Sequence, residues 1–253
     1  MPSTPRGYTH FPSQADLFYF CTTSSTSEED LDIHYAPPSK SSLKIGVLVL
    51  SHEQLQLLDL AVVDLLSMIS RNRMSRLNAS GNAMNEAVDE IDIRYISETG
   101  GSFPVTSGSR MPVTNSLEDA PQFDILIVPG TFSSSSEIPM SVSTFLTNQA
   151  SNNNLIAILS ISSGILTLAQ TGLLHQKRAT GPSSLFSTLQ QRYPETSWQQ
   201  APWTRHEKIW SSSSALSAME MLTTLMREYF WDRSEAVECA LSAAGIPRLE
   251  LYE

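Results

Sequence analysis

The sequence predicts an α/β fold in which a mostly parallel sheet carries helices on both faces. Short apolar runs typical of buried strands alternate along the chain with amphipathic helix patterns. Three of these runs are followed by small or polar pairs, which are Ser51-His52, Gly130-Thr131 and Ser162-Ser163. Parallel sheets bind ligands beyond the carboxyl ends of their strands, so these pairs indicate the edge at which a site would lie.

Each predicted element has a local signal. Apolar runs predict core strands at residues 45–50, 91–96, 125–128, 155–159 and 208–211. Helical periodicity predicts helices at 55–69, 139–149, 183–191, 215–230 and 234–244, and a further one that starts after Gly164 and ends at Gly172. Between them, 70–90 predicts a loop with some helix, 100–112 short irregular strands, and 133–137 a polar loop.

The domain organisation follows from composition. Residues 1–42 are rich in Ser, Thr and Pro and predict a flexible N-terminal extension, within which the apolar segment 17–21 could dock on the domain. Residues 43–253 predict a single α/β domain. The whole chain has 253 residues, of which 41% are hydrophobic, and this suffices for one substantial core.

The most informative pattern lies in residues 155–182. An apolar run gives way to Ser162-Ser163-Gly164 and then to an amphipathic helix pattern. A strand, a tight turn and a helix in this order form a nucleophile elbow, which lifts one side chain out of the sheet. The N–H groups at the start of the helix favour negative charge at the same point. Ser162 is predicted at the tip of the elbow.

Several segments in this order resemble the ThiJ/PfpI superfamily, which has a flavodoxin-like fold related to glutamine amidotransferases. The similarity is to isocyanide hydratases and to the ligand-sensing domains of AraC-type regulators in particular. It spans about residues 44–244, and no single motif decides it. The matching segments are the opening strand and helix at 44–66, DILIVPG at 124–130, Ser162-Ser163-Gly164, GLL at 172–174, RAT at 178–180, and the last strand and helix at 209–221.

The resemblance implies a reactive cysteine at the tip of the elbow, where this chain has Ser162. Without a thiol, thiolate chemistry at this position is excluded. A serine hydroxyl is a weak nucleophile unless a base removes its proton. The family histidine often found after the RAT segment is absent, since Gly181-Pro182-Ser183 stands there. Ser162 is therefore either a catalytic or hydrogen-bonding member of the site or a residue that merely occupies the turn.

Asp59 is the second candidate catalytic residue. In hydratase-like relatives the matching acidic residue bonds the cysteine and transfers protons, which implies that Asp59 faces Ser162. Neighbouring leucines would disfavour the carboxylate and raise its pKa towards neutrality, where one group can donate and accept protons. The alternative is that Asp59 caps backbone N–H groups at the start of its helix. Asp64, further along the same helix, is interpreted as solvated or structural.

Other residues are assigned to the pocket. Thr131 and Ser163 are candidate backbone donors to an oxyanion, as the matching positions are in relatives. His52 and Gly130 lie at strand ends and could border the site.

Three neighbouring tryptophans and a serine run have two interpretations each. Trp198, Trp203 and Trp210 pack in the core or cover an apolar ligand, and residues 211–214 line a pocket or cap a helix.

Composition limits the partners and the compartment. A net charge of −10 argues against a nucleic-acid surface. Neither a membrane span nor a secretion signal is indicated, so the expected location is the cytoplasm. The two cysteines, Cys21 and Cys239, do not predict a disulfide framework, and no spacing resembles a metal site. We expect no cofactor, a small-molecule substrate and, since relatives are commonly dimers, a homodimer.

Three classes of function remain open from the sequence. The favoured one is an enzyme that acts on a small apolar metabolite by non-covalent acid/base or positional catalysis, as a hydratase, dehydratase, isomerase or cyclase of specialised metabolism. The alternative is an inactive ligand-binding or regulatory protein. A serine hydrolase is the least favoured class, because a base next to Ser162 is missing.

Overall fold

The computed structural model describes residues 38–50, 54–131 and 137–248. Their centre is a seven-stranded sheet. In chain order, its strands are β1 Ser42–Leu48, β2 Glu90–Ser97, β5 Asn115–Ser116, β6 Ile125–Val128, β7 Ala157–Ile161, β10 Trp203–His206 and β11 Ile209–Ser212. The strand order in the sheet is β10-β11-β7-β6-β1-β2-β5, and β10 alone among these strands runs antiparallel to its neighbour. Two small ladders pair β3 Phe103–Pro104 with β4 Arg110–Met111, and β8 Arg178–Ala179 with β9 Ser197–Trp198.

Helices cover both faces of this sheet. They are α1 Ala61–Ser67, α2 Arg71–Arg76, α3 Gly81–Glu86, α4 Met140–Ala150, α5 Ile165–Gln170, α6 Phe186–Arg192, α7 Ala215–Tyr229 and α8 Ser234–Ala243. Short 3-10 turns precede several of them, at Leu57–Leu60, Ser162–Gly164, Ser183–Leu185 and Trp231–Arg233. Together, the sheet and helices confirm the predicted α/β architecture.

Strand β6 shows how the core is divided. All four of its residues are buried, and successive side chains point to opposite faces. Ile125 and Ile127 pack in one cluster with α1, α7 and α8, whereas Leu126 and Val128 pack in a second cluster with α4, α5 and α6. A strand buried on both faces needs a continuous apolar run, and this explains the sequence ILIV.

Most predicted elements are present, with shifted ends. The strand predicted at 155–159 is two residues too early, because β7 continues through the buried polar Ser160 to Ile161 and pairs there with β6 and β11. The sequence prediction missed β5, β8, β9 and β10. His206 ends β10, and its Nδ1 accepts a hydrogen bond from the backbone N–H of Arg178.

The predicted extension lies mostly outside the described residues. At its end, however, Ser39 and Lys40 contact the domain ahead of β1. The backbone N–H of Ser39 donates to Asp232, and Lys40 forms an ion pair with Asp124. The predicted polar loop at 133–137 likewise lies almost entirely outside the described residues.

The turn after β7 packs tightly against the end of β6. A Cβ atom on Gly164 would lie 2.2 Å from the carbonyl oxygen of Val128 and 2.9 Å from that of Pro129. Both contacts are with backbone atoms, which cannot rotate away. Only glycine therefore allows the elbow to approach the neighbouring strand this closely.

We predict that Gly164→Ala lowers the free energy of unfolding by about 2 kcal/mol, because the added methyl group must push the elbow away from β6. Urea unfolding measures the change. Gly81→Ala is the control, since a Cβ at Gly81 meets nothing within 4 Å and the residue begins a helix. This control should be neutral or slightly stabilising. Equal effects of the two substitutions would contradict the packing argument.

Candidate functional site

Ser162 lies at the tip of the turn between β7 and α5, as the sequence predicts. Its φ angle is 51°, in the left-handed region that a serine rarely adopts. The side chain is partly exposed. The strained backbone and the following 3-10 turn give the strand–turn–helix geometry of a nucleophile elbow.

The Ser162 hydroxyl has no activating base within the described residues. Its Oγ takes part in no hydrogen bond there, whereas the neighbouring Ser163 Oγ donates to the carbonyl oxygen of Thr131 at 2.8 Å. A serine nucleophile needs a base within hydrogen-bonding distance. Within the described residues, the serine-hydrolase alternative therefore lacks the base that it requires.

Asp59 lies in the 3-10 turn Leu57–Leu60 and its side chain is completely buried. Its Oδ2 accepts a hydrogen bond of 2.7 Å from the backbone N–H of Gly130, a residue of the loop after β6. It caps neither its own turn nor α1, so the capping interpretation is wrong. The carboxyl group connects two distant segments of the chain.

The Asp59 carboxyl and the elbow meet at Gly130. A Cβ atom on Gly130 would lie 2.7 Å from Asp59 Oδ2, 2.8 Å from Ser163 Oγ and 3.2 Å from Ser163 N. The absence of a side chain at Gly130 therefore lets the carboxyl group and the Ser163 hydroxyl approach the same point. The predicted site residues Asp59, Gly130, Thr131 and Ser163 are thus brought together, with Ser162 next to them in the chain.

Burial raises the pKa of Asp59 from 3.8 to about 6, although the hydrogen bond from Gly130 favours the carboxylate and lowers it. The second oxygen, Oδ1, is buried and has no hydrogen-bond partner among the described residues. A carboxyl group with a pKa near neutrality, and with one oxygen that accepts no hydrogen bond from the described residues, is suited to accept and return a proton.

The loop before Asp59 holds it in position. Gln56 donates its backbone N–H to the carbonyl oxygen of Gly130 at 3.4 Å, and Leu55 forms a single bridge with Thr131. Thr131 and Ser163 therefore lie beside the carboxyl group, and the Ser163 N–H begins a helical turn. The first N–H groups of a helix have no partner within it, so Ser163 can offer one to a ligand. The oxyanion role of both residues stays a prediction.

The remaining predicted pocket residues have other positions. His52 lies outside the described residues. The Trp203 and Trp210 rings stack with centroids 5.8 Å apart, and the Arg205 guanidinium lies 4.6 Å from the centroid of Trp210. Trp210 is 1% exposed and belongs to the cluster beneath α7. These contacts favour the core-packing interpretation of the two tryptophans.

An apolar groove lies on the outer side of the Asp59 turn. Its volume is about 800 Å³, and its walls come from that turn, from α1, from β2 and from the β3–β4 region. Leu57 and Leu58, which precede Asp59, are 43% and 60% exposed at its rim. Asp64 also lines it and forms an exposed ion pair with Arg73, consistent with its predicted structural role.

A second cavity of about 520 Å³ lies between β8 and the start of α7. We call it the serine cavity, after Ser183, Ser213, Ser214 and Ser217, which line it together with Thr180 and Phe186. Sequence reasoning found only the serine run 211–214 and left open whether it lines a pocket or caps a helix. Ser214 does both, because it accepts a hydrogen bond from the Ser217 N–H and lines the cavity.

The described residues contain neither a metal-binding cluster nor a helix that could cross a membrane. Within residues 38–50, 54–131 and 137–248, no group of three or more His, Cys, Asp or Glu side chains is placed to hold a metal ion. None of the helices in this part of the chain combines the length and the apolar character needed to span a bilayer.

The fold and the elbow define a class of α/β proteins with a strand–turn–helix site at the carboxyl edge of a parallel sheet. The chain belongs to the DJ-1/PfpI family, whose model matches residues 68–228. This confirms the resemblance seen in the sequence. No curated protein matches the chain significantly.

Solved structures show the same fold at low identity. A ThiJ/PfpI family protein from Pseudomonas syringae has a TM-score of 0.64 and 16% identity, over 88% of this chain and 86% of its own. DJ-1 from Schizosaccharomyces pombe has a TM-score of 0.58 and 17% identity, over 81% and 100%. An AraC family transcriptional regulator from Pseudomonas putida has a TM-score of 0.58 and 20% identity, over 78% and 97%. The similarity extends to the fold alone.

The buried carboxyl predicts an unusual pH dependence of stability. The folded pKa of Asp59 is about 6, above the 3.8 of the free group, so folding favours the protonated form. The stability that protonated Asp59 gives to the folded protein is fully present below pH 3.8, the pKa in the unfolded chain. It is lost as the pH rises through about 6, the pKa in the folded protein. We predict that Asp59→Asn unfolds with a higher free energy than wild type at pH 7, by up to about 3 kcal/mol, and that this difference shrinks towards pH 4.

Urea unfolding of both proteins between pH 4 and pH 7.5 measures this difference. Asp64→Asn is the control, because it removes an exposed carboxylate from the following helix without a burial penalty. A constant difference between wild type and Asp59→Asn across this range would contradict the burial argument.

Proposed function

We propose that this protein is an enzyme of the DJ-1/PfpI family that works without a nucleophilic cysteine. It acts on a small, largely apolar metabolite by non-covalent acid/base or positional catalysis, as a hydratase, dehydratase, isomerase or cyclase. The observation that carries this proposal is the buried carboxyl of Asp59, with one oxygen fixed by Gly130 and the other without a hydrogen-bond partner in the described part of the chain. Specialised metabolism is the proposed setting.

Asp59 is the proposed proton-transfer group. With a pKa of about 6 it is mostly ionised at pH 7, so it first accepts a proton from the bound substrate and then returns it to another atom. Gly130 holds Oδ2, which leaves Oδ1 for the proton. The protonated state is favoured by burial, and this lowers the cost of the intermediate in which Asp59 carries the proton.

Ser162 and the backbone groups are proposed to position the substrate. The partly exposed Ser162 hydroxyl can donate one hydrogen bond and accept two. The Ser163 N–H, and that of Thr131, would stabilise negative charge on a substrate oxygen. Held geometry alone can lower a barrier greatly for a substrate that reacts with itself, and no covalent intermediate is then needed.

A deletion strain provides the direct test of turnover. Extract of a source strain lacking this gene is incubated with wild type, Asp59→Asn or Ser162→Ala, and masses are followed by LC–MS in ordinary and heavy-oxygen water. We expect a metabolite that wild type converts, that Asp59→Asn leaves intact, and that Ser162→Ala converts more slowly. Uptake of heavy oxygen indicates hydration, and an unchanged mass indicates isomerisation or cyclisation.

The outcomes separate the three classes of function. Loss of all turnover in Ser162→Ala, together with labelling by a fluorophosphonate, would indicate a serine hydrolase instead. No mass change with any of the proteins would favour the alternative of a ligand-binding protein, which the unactivated Ser162 also allows.

The pH dependence of the rate tests the role of Asp59 separately. If the carboxylate accepts the first proton, kcat/KM should rise with pH through about 6 and then reach a plateau. A rate that falls through the same range would instead indicate that protonated Asp59 acts first, as an acid. Steady-state rates of wild type and Ser162→Ala, once the substrate is known, should show the same inflection.

The proposed assembly is a homodimer that uses the exposed leucines beside Asp59. Neighbouring exposed apolar side chains at the rim of an apolar groove are typical of association surfaces. Leu58→Glu is expected to give a monomer in analytical ultracentrifugation. Leu216→Glu is the control, because Leu216 is 72% exposed at the start of α7 and should not affect association. A monomeric wild type would contradict the assembly and leave the proposed chemistry unaffected.

A further inference from the structure

The serine cavity lies directly beside the elbow. In the sheet, Ile161 of β7 is paired with Ser212 of β11. Ser162 follows Ile161 and Ser213 follows Ser212, so the two serines come directly after neighbouring strands, which lie about 4.8 Å apart in a sheet. Gly181, at the end of β8, packs against Ile165 of the elbow helix, where a Cβ on Gly181 would lie 2.9 Å from Ile165 Cγ2. A ligand at the elbow can therefore extend into this cavity.

The walls of the cavity are fixed by hydrogen bonds. Thr180 donates its backbone N–H to Ser211 Oγ at 2.9 Å and its hydroxyl to the carbonyl oxygen of Ala201, also at 2.9 Å. Ser213 donates its N–H to the carbonyl oxygen of Pro202 at 2.8 Å. These contacts connect β8, β11 and the loop before β10. The cavity is thus formed before a ligand binds, and its volume of about 520 Å³ lies in the usual range of small-molecule pockets.

The lining is polar but carries no charge. The described residues around the cavity carry hydroxyl groups, the Gln200 amide and the Phe186 ring, and none of them is an Asp, Glu, Lys or Arg. The backbone N–H of Ser217, at the start of α7, already donates to Ser214 Oγ. An anionic group would therefore find neither a cationic side chain nor that N–H to bind it.

Hydroxyl groups suit a ligand that both donates and accepts hydrogen bonds. Ser217 Oγ lies 3.0 Å from Ser214 Oγ and 3.4 Å from Ser213 Oγ, and either member of each pair can be the donor. Such a cluster can reorient its protons to complement an amide or an alcohol. The Phe186 ring adds an apolar surface for the carbon skeleton next to that group.

We propose that the serine cavity binds an uncharged amide, lactam or alcohol group of the ligand whose reacting part lies at the elbow. This inference rests on the proposed function, since it takes the elbow as the place of reaction. It narrows the substrate class to a largely apolar molecule with a neutral group at one end that both donates and accepts hydrogen bonds. We expect charged groups to bind more weakly at this position, because no charged side chain among the described residues lines it.

Three fragments with one skeleton test this proposal on the full chain. They are cyclohexanecarboxamide, cyclohexanecarboxylate and cyclohexylmethylammonium, which differ mainly in charge. Binding is measured by titration with NMR detection, and amide shift changes locate the site. We expect the neutral amide to bind about tenfold more tightly than either ion, with shift changes at Thr180, Gly181 and Ser217.

Variants show whether the cavity is responsible. Ser183→Leu fills part of the cavity and should weaken amide binding about tenfold, and Ser217→Ala removes one hydroxyl and should weaken it about threefold. Ser184→Leu is the matched control for the first variant, because Ser184 is the next residue of the same 3-10 turn and does not line the cavity. Ser187→Ala, an exposed serine on α6, is the control for the second.

Several outcomes would overturn the inference. In the titrations, these are tighter binding of the carboxylate or the ammonium ion than of the amide, and no binding of any fragment. NMR shift changes in the apolar groove beside Leu58 instead of the cavity would also overturn it. Among the variants, equal effects of Ser183→Leu and Ser184→Leu on amide binding would do so. Failure of the proposed function is distinguishable from these. If the protein binds the amide in the cavity but converts no metabolite, the binding inference holds and the proposed enzymatic function is wrong. If turnover depends on Asp59 but Ser183→Leu leaves KM unchanged, the proposed function holds and the binding inference is wrong.

Discussion

The hydrogen bond between Asp59 and the Gly130 N–H is the contact on which the site depends. It joins the segment after β1 to the loop after β6, and these are far apart in sequence. Ser163 Oγ reaches the same point from the end of β7 and bonds the carbonyl oxygen of Thr131. Three strand ends are thus connected around one glycine. The site is therefore a property of the sheet edge and not of any single motif.

Burial of Asp59 lowers the stability of the folded protein at neutral pH, where the carboxyl group is ionised. A carboxyl group without solvent contact is destabilising when ionised, and a single N–H bond compensates only part of this. An asparagine could keep that bond without the charge. A buried polar atom without a partner, as Oδ1 is among the residues that the structure describes, calls for an explanation. The proposed proton-transfer role would account for the burial and for this oxygen, and the bond to Gly130 gives the same carboxyl group a structural role.

The fold and part of the site could be predicted from the sequence because both depend on local patterns. The apolar run ILIV predicts a doubly buried strand, and the serine-glycine turn before a helix predicts the strained φ of Ser162. The ends of β7 could not be predicted this way, because the strand passes through the polar Ser160. Its burial is decided by β6 and β11 on either side, which are distant in sequence.

Contacts between distant segments also explain what was missed at the site. The interpretation of Asp59 as a helix cap considered only neighbouring residues, whereas its partner Gly130 lies in the loop after β6. The serine cavity likewise combines Thr180 and Ser183 with Ser217, which become neighbours only when β8 and α7 pack beside the elbow. A single chain contains no direct signal for such a convergence.

Two cavities near the site that are lined by described residues differ in polarity, and this restricts how a ligand can be oriented. The groove beside Leu58 is apolar and open, whereas the serine cavity is lined by hydroxyls and has fixed walls. Asp59 separates the two kinds of environment, since its turn forms a wall of the groove while its carboxyl points to Gly130 and the elbow. A molecule with one apolar and one neutral polar end would gain from a single orientation at the elbow. Reversal would place the polar group in the apolar groove beside Leu58 and leave the hydroxyls of the serine cavity without ligand partners, and burying such unpaired groups is unfavourable. Orientation of this kind is what a catalyst without a covalent intermediate requires, because only a fixed placement of the substrate lets one carboxyl group take and return a proton at chosen atoms.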